Sequence, residues 1–138
     1  MLFRSKVQAK NDSLYNTPNV LGIWVLERVL AWVEDQGLEA VAAANERKAK
    51  ALYDLLDSSG FWRPHADVGS RSRMNITFRL PSEELEAKFV KESTAAGLDG
   101  LKGHRSVGGM RASIYNAFPD AGIDALVSFM QEFEKKNG

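Results

Sequence analysis

The segment Lys102-Gly103-His104-Arg105-Ser106-Val107-Gly108-Gly109-Met110-Arg111-Ala112-Ser113-Ile114-Tyr115-Asn116-Ala117 joins a glycine-rich loop to an alternating run. Met110, Ala112 and Ile114 alternate with Arg111, Ser113 and Tyr115, the period of a β-strand that buries one face. Arg111 therefore stands on the face opposite Met110. Glycine permits positive φ and close approach of the backbone to a bound group. Arginine offers a planar fork of donors suited to carboxylate or phosphate. The loop, with His104 and Arg105 side by side, suits a phosphate, and Arg111 suits a carboxylate held by two parallel bonds. Solvated basic residues and structural salt-bridging are the plainer readings of the same side chains.

Working outward, a second alternating run, Arg73 to Arg79, places Met74, Ile76 and Phe78 on one face and Asn75, Thr77 and Arg79 on the other. It predicts another half-covered strand. Between the runs, Leu80-Pro81-Ser82 leads into Glu83 and Glu84, acidic residues that favour the positive end of a helix dipole. Leu85, Phe89 and Val90 give that helix a buried stripe ending near Gly97. Leu98 to Leu101 and Phe61-Trp62 are brief strand candidates. Pro119 and Asp120 open a last helix with Ile123, Leu126, Val127, Met130 and Phe133 as its apolar positions.

Upstream, Leu38 to Ser58 has apolar residues at three-and-four spacing and predicts an amphipathic helix after Gly37. Pro18 to Gln36 is apolar nearly all round, from Val20 through Val33, as in a helix buried between layers. Thr17 is its expected N-cap and Pro18 its first helical residue. Trp24 and Trp32 belong to a core or an interface. So much apolar surface in a short chain suggests a helix meant for a domain or subunit beyond these residues. Residues 1 to 12 read as a polar, unpatterned arm. The predicted order is helix, helix, strand, strand, helix, strand, strand, helix: an α/β domain of two layers, a short mixed or antiparallel sheet covered by helices.

Composition narrows the function. The chain has 138 residues, enough for one ordinary domain but not two, and 44% hydrophobic with 26% charged residues argues against disorder. Lys plus Arg and Asp plus Glu each number 18. That balance recommends neither nucleic acid nor an anionic membrane as a partner. With no cysteine and only two histidines, no structural metal site is expected, and a cytoplasmic setting fits. Met1 to Ser5 precedes no secretory h-region, and Val20 to Val33, interrupted by Glu27 and Arg28, is too short to span a bilayer. The spacing Gly103 to Gly108 resembles a P-loop, but no phosphate lysine follows and a strand replaces the helix. His65 reads as a surface residue. Asn16 and Thr17, just before a helix, could present an amide, a hydroxyl and backbone N–H groups to a phosphate, although plain capping is the commoner explanation for Thr17.

Three motifs in order carry a resemblance: Tyr15-Asn16-Thr17-Pro18, Arg71-Ser72-Arg73-Met74-Asn75, and Gly103 to Ala117. From about Lys6 to Gly138 the chain resembles the C-terminal part of the phosphoserine aminotransferases, with Met1 to Ser5 looking foreign. The resemblance implies the small domain of a fold-type-I pyridoxal-phosphate enzyme. Residues 1–30 would be the end of the large domain and the start of a connecting helix, and 31–138 the small domain. It implies a homodimer that moves an amino group from glutamate to 3-phosphohydroxypyruvate, in serine and in some bacteria vitamin B6 biosynthesis. Asn16 and Thr17 would reach the phosphate of the neighbouring subunit's cofactor, His104 and Arg105 the substrate phosphate, and Arg111 the substrate α-carboxylate. No lysine here resembles the family's Schiff-base lysine, so this fragment alone is expected to be inactive. The alternative is a non-catalytic module that binds a small phosphorylated carboxylic acid.

Overall fold

The computed structural model describes residues 2–138, with side chains from Ser5 onward; Met1, within the segment that the resemblance leaves out, lies outside the described residues. The chain divides into two compact units, one ending at Leu38 and one spanning Glu39–Gly138.

The first unit holds α1 (Leu2–Lys10) and α2 (Val20–Gln36). The expected unpatterned arm is thus largely helical. Lys6, Gln8, Ala9 and Lys10 are good helix formers, and Asn11 Nδ2 closes the end by donating to Val7 O at 2.8 Å. Asp12 and Ser13 then turn the chain through positive φ, 50° and 64°. The expected cap of α2 is also corrected. Val20 N–H donates to Pro18 O, which keeps Pro18 in the preceding turn. Asn19 caps instead, its side chain accepting from Gly22 N–H at 3.1 Å. Gly37, at φ 82°, stops the helix by donating to Val33 O and Glu34 O. The all-round apolar helix is not buried between layers: no residue of α2 is buried, and Leu21, Trp24 and Leu26 are all exposed.

The second unit is a two-layer α/β arrangement. Its elements are α3 (Leu38–Ser58, whose first residue closes the first unit), β1 (Arg63–Pro64), a 3-10 turn at Val68–Ser70, β2 (Asn75–Arg79), α4 (Glu83–Ala95), β3 (Met110–Ser113) and α5 (Asp120–Asn137). The sheet order is β1-β2-β3, antiparallel throughout, with Thr77 opposite Arg111 and Phe78 opposite Met110. Alternation does what the sequence requires of it. Ile76, Phe78, Met110 and Ala112 point into the core, while Asn75, Thr77, Arg79, Arg111 and Ser113 occupy the other face.

The core is aromatic at its centre. Trp62, Phe78, Phe89 and Phe133 are all within 2% of complete burial. Their rings meet edge to face, Trp62 to Phe89 at 5.4 Å and Phe89 to Phe133 at 5.2 Å between centroids, the arrangement their quadrupoles favour. Trp62 Nε1 donates to Glu134 Oε2 at 2.9 Å, so its one polar atom is satisfied. Leu52 and Leu56 of α3 and Met130 of α5 complete the layer.

Two expected strands fall elsewhere. Pairing begins at Arg63 rather than Phe61, because Phe61 and Trp62 are both buried in the core. Leu98 to Leu101 forms no strand. Gly97 just before it and Gly100 within it have φ of 82° and 78°, which breaks an extended run, and only Lys102 bridges to Met110.

Candidate functional site

The open face of the β2–β3 pair carries the polar members of both alternating runs. Arg111 is exposed on that face at the centre of β3. Its position is set by ladder pairing with Thr77 and by the burial of its neighbours Met110 and Ala112. It cannot rotate to the other face without moving both into solvent.

His104 and Arg105, both exposed, sit on the loop that closes just before β3. The loop is built largely from its own backbone. Gly103 N–H donates to Gly109 O, while Val107 and Gly108 N–H both donate to His104 O, all at 2.8–2.9 Å. Gly108 and Gly109 have φ of 74° and 68°. A Cβ on Gly103 would come within 2.2 Å of Gly108 O, so this closure needs glycine. Ser106 fixes the imidazole. Its Oγ lies 2.7 Å from His104 Nδ1, and its backbone N–H also points at Nδ1, at 3.3 Å. Nδ1 is thus the acceptor, and the hydrogen-bond pattern assigns the proton to Nε2, which is left as an outward donor.

Two concave regions meet at this loop. One, of about 100 Å³, is lined by both His104 and Arg111, together with His65 and Thr77. The other, of about 640 Å³, lies between the loop and α4 and is lined by His104 and Arg105, with Glu83, Glu86 and Val90 opposite. The larger is within the roughly 300–1,000 Å³ usual for small-molecule sites. The geometry thus brings His104 and Arg111 to one cleft and His104 and Arg105 to the next. Asn16 and Thr17 belong to the first unit, in the exposed turn between α1 and α2. Among the described residues neither side chain makes a hydrogen bond.

Several supporting residues escaped the sequence reading. Arg79 lines both clefts, and its Nη2 donates to Val107 O. Its Nη1 lies 3.5 Å from Glu86 Oε2. Lys48, 2% exposed, donates from Nζ to the carbonyls of Tyr115, Asn116 and Phe118 at 2.8–3.2 Å. Desolvation lowers its pKa, against the opposing charge of Asp120. Asn45 Nδ2 reaches Asn116 Oδ1 at 2.7 Å. Both Asn45 and Lys48 lie on the three-and-four stripe that begins at Val41, and a polar residue on a buried stripe was the available signal. His65, set aside as a surface residue, is exposed but lines the smaller cleft, and its N–H donates to Thr77 O at 3.0 Å.

At the entry to β2, Arg71 forks onto Asp57 with bonds of 2.7 and 2.6 Å and lies over the Tyr53 ring at 4.4 Å. The hydrogen bond from Arg71 holds the Asp57 carboxyl below its ordinary range. Among the described residues there is no cluster of three or more metal-ligating side chains, and no helix is long and apolar enough to cross a membrane.

The open sheet face carries Arg79 and Arg111, with His104 and Arg105 on the adjoining glycine loop, and the class of the protein is shown by comparison. The chain belongs to the class-V aminotransferases, whose family model matches residues 1–126. That match takes in the first five residues, so they are not foreign to the family. Within the family the similarity is to phosphoserine aminotransferases. The one from Desulfosudis oleivorans is 57% identical over 135 residues, covering 96% of this chain and 37% of that protein. A solved phosphoserine aminotransferase from Bacillus circulans subsp. alkalophilus matches with a TM-score of 0.90 at 56% identity, over 98% of this chain and 38% of that one. A PLP-bound phosphoserine aminotransferase from Trichomonas vaginalis matches with a TM-score of 0.83 at 40% identity, over 92% and 37%. The chain spans a little over a third of the length of the curated relatives it matches.

Proposed function

We propose that this chain supplies the substrate-recognition part of a pyridoxal-phosphate-dependent phosphoserine aminotransferase, a cytoplasmic homodimer that converts glutamate and 3-phosphohydroxypyruvate to 2-oxoglutarate and O-phosphoserine. The observation that carries the reading is one cleft lined by a strand-borne arginine and a loop-borne histidine whose Nε2 is an outward donor. Two unlike anion sites side by side suit a substrate with a carboxylate at one end and a phosphate at the other. The similarity to phosphoserine aminotransferases supports the same assignment.

In this reading Arg111 grips the α-carboxylate with its fork, and the fixed register of β3 sets the direction of the carbon chain. His104 and Arg105 hold the phosphate. Asn16 and Thr17 are offered to the cofactor's phosphate in the neighbouring subunit. The donor set fits: both side chains are exposed, and an amide and a hydroxyl without hydrogen-bond partners among the described residues suit a phosphate. Bound, pyridoxal phosphate supplies the electron sink that lets an amino group pass between an amino acid and a 2-oxo acid. Residues 1–30 are assigned to the end of a large domain and the start of a connecting helix, and 31–138 to the small domain.

The test is glutamate-dependent amination of 3-phosphohydroxypyruvate by the full-length protein that carries this segment. Product formation is expected there and not with the 138-residue chain alone, since no lysine here stands in the context of a cofactor-anchoring lysine. The chain treated with pyridoxal phosphate and borohydride should show no single modified lysine by mass spectrometry. Trapping on one lysine would sink the second expectation. Phosphate-ligand binding without amination by any longer form would favour a non-catalytic module instead.

A further inference from the structure

Arg79 is the side chain on which the glycine loop rests. Its guanidinium bridges two partners, Nη2 donating to Val107 O and Nη1 lying 3.5 Å from Glu86 Oε2. Glu86 is held in turn, because its Oε1 faces the Leu80 N–H at 3.4 Å. The fit to the loop is close. A Cβ on Gly109 would meet Arg79 Cδ at 2.9 Å, and one on Gly108 would meet Arg79 Nη1 at 3.1 Å. The two positive-φ glycines of the loop therefore lie directly against this arginine. Arg79 also lines both clefts.

We propose that Arg79 is a specificity-determining positioning residue: by holding Val107, Gly108 and Gly109 it sets where His104 and Arg105 stand relative to Arg111. Its contacts to Val107 O and Glu86 give it the part of holding the loop. This rests on the reading of His104 and Arg105 as the phosphate-binding pair. A loop that carries two donors on exposed side chains keeps its preference for a phosphorylated ligand only while its backbone is fixed. Arg111 takes its position from the ladder and is independent of Arg79.

The experiment compares two acceptors in the full-length enzyme carrying this segment, a phosphorylated 2-oxo acid and its unphosphorylated hydroxy counterpart. The quantity read is the ratio of their kcat/KM values. In Arg79→Met that ratio is expected to fall about tenfold, chiefly through KM for the phosphorylated acceptor, with Arg79→Lys recovering part of it. Equal losses on both acceptors, or an unchanged ratio, would overturn the proposal. Should R79M not fold, Arg79→Gln is read by the same ratio. An unmutated enzyme with no preference for the phosphorylated acceptor would instead defeat the underlying reading of His104 and Arg105, so the two failures are distinguishable.

Discussion

The strand that carries Arg111 and the loop that carries His104 and Arg105 are adjacent in sequence, yet they are held in opposite ways. The β2–β3 pair is tied to α3 at both ends. At the entry to β2, Arg71 is clamped between Asp57 and the Tyr53 ring. At the exit of β3, Lys48 gathers three carbonyls and Asn45 takes Asn116. Ladder pairing and the core beneath do the rest. The loop has its own backbone bonds, two positive-φ glycines and Arg79. A group on the strand is accurate because the whole domain determines it, whereas a group on the loop depends on a few contacts that can each be broken alone. In the proposed function, one end of the ligand is then held by a rigid element and the other by an adjustable one.

The largest expected effect breaks the rigid side at its functional atom. Arg111→Met should lower kcat/KM of the full-length enzyme about 100-fold, roughly 3 kcal/mol, because a charged partner of the carboxylate disappears. Phosphorylated and unphosphorylated acceptors should lose equally, since both carry the carboxylate. Arg111→Lys should recover only part, having lost the fork. A loss confined to the phosphorylated acceptor would reverse the roles given to strand and loop.

Next comes the strand's anchor. Lys48→Met removes a buried ammonium, which relieves its desolvation, but it strands three carbonyls that share one donor. The second effect should win by about 2 kcal/mol, seen as a lower urea midpoint of unfolding with an unchanged slope. Unaltered stability would mean that those carbonyls find water, and that α3 does not secure the end of β3.

How far these features could be read from sequence follows the same division. The alternating runs Arg73 to Arg79 and Met110 to Tyr115 assign each side chain to a face, because period two leaves no other choice. The helices α3, α4 and α5 follow from their stripes in the same way. Harder to see were Arg79 and Lys48, whose partners are backbone carbonyls 28 residues away in one case and 67 to 70 in the other. Carbonyls have no residue identity, so the polar position on the buried stripe of α3 marks Lys48 as unusual without naming its partners. Leu98 to Leu101 misled because its leucines suggested a strand while Gly97 before it and Gly100 within it adopted positive φ. The cap at Asn19 rather than Thr17 turned on a single tight turn at Pro18, which propensity does not resolve.

The smallest effect separates the two ingredients of the loop. Gly100 and Gly109 both have positive φ, 78° and 68°, so alanine at either should cost about 1–2 kcal/mol for the left-handed backbone alone. Their surroundings differ. A Cβ at Gly100 meets nothing within 4 Å, while one at Gly109 would lie 2.9 Å from both Phe78 O and Arg79 Cδ. Phe78 belongs to the buried strand and cannot retreat, so the loop must move and carry His104 and Arg105 with it. Gly100→Ala should therefore lower stability slightly and leave the preference for a phosphorylated acceptor intact. Gly109→Ala should lower stability somewhat more and also reduce that preference. If both variants alter the preference alike, then backbone freedom in the region matters and the close approach of Gly109 to β2 does not. If only Gly109→Ala does, the loop's aim is set by its contact with the strand, and its adjustability is bounded by the rigid element beside it.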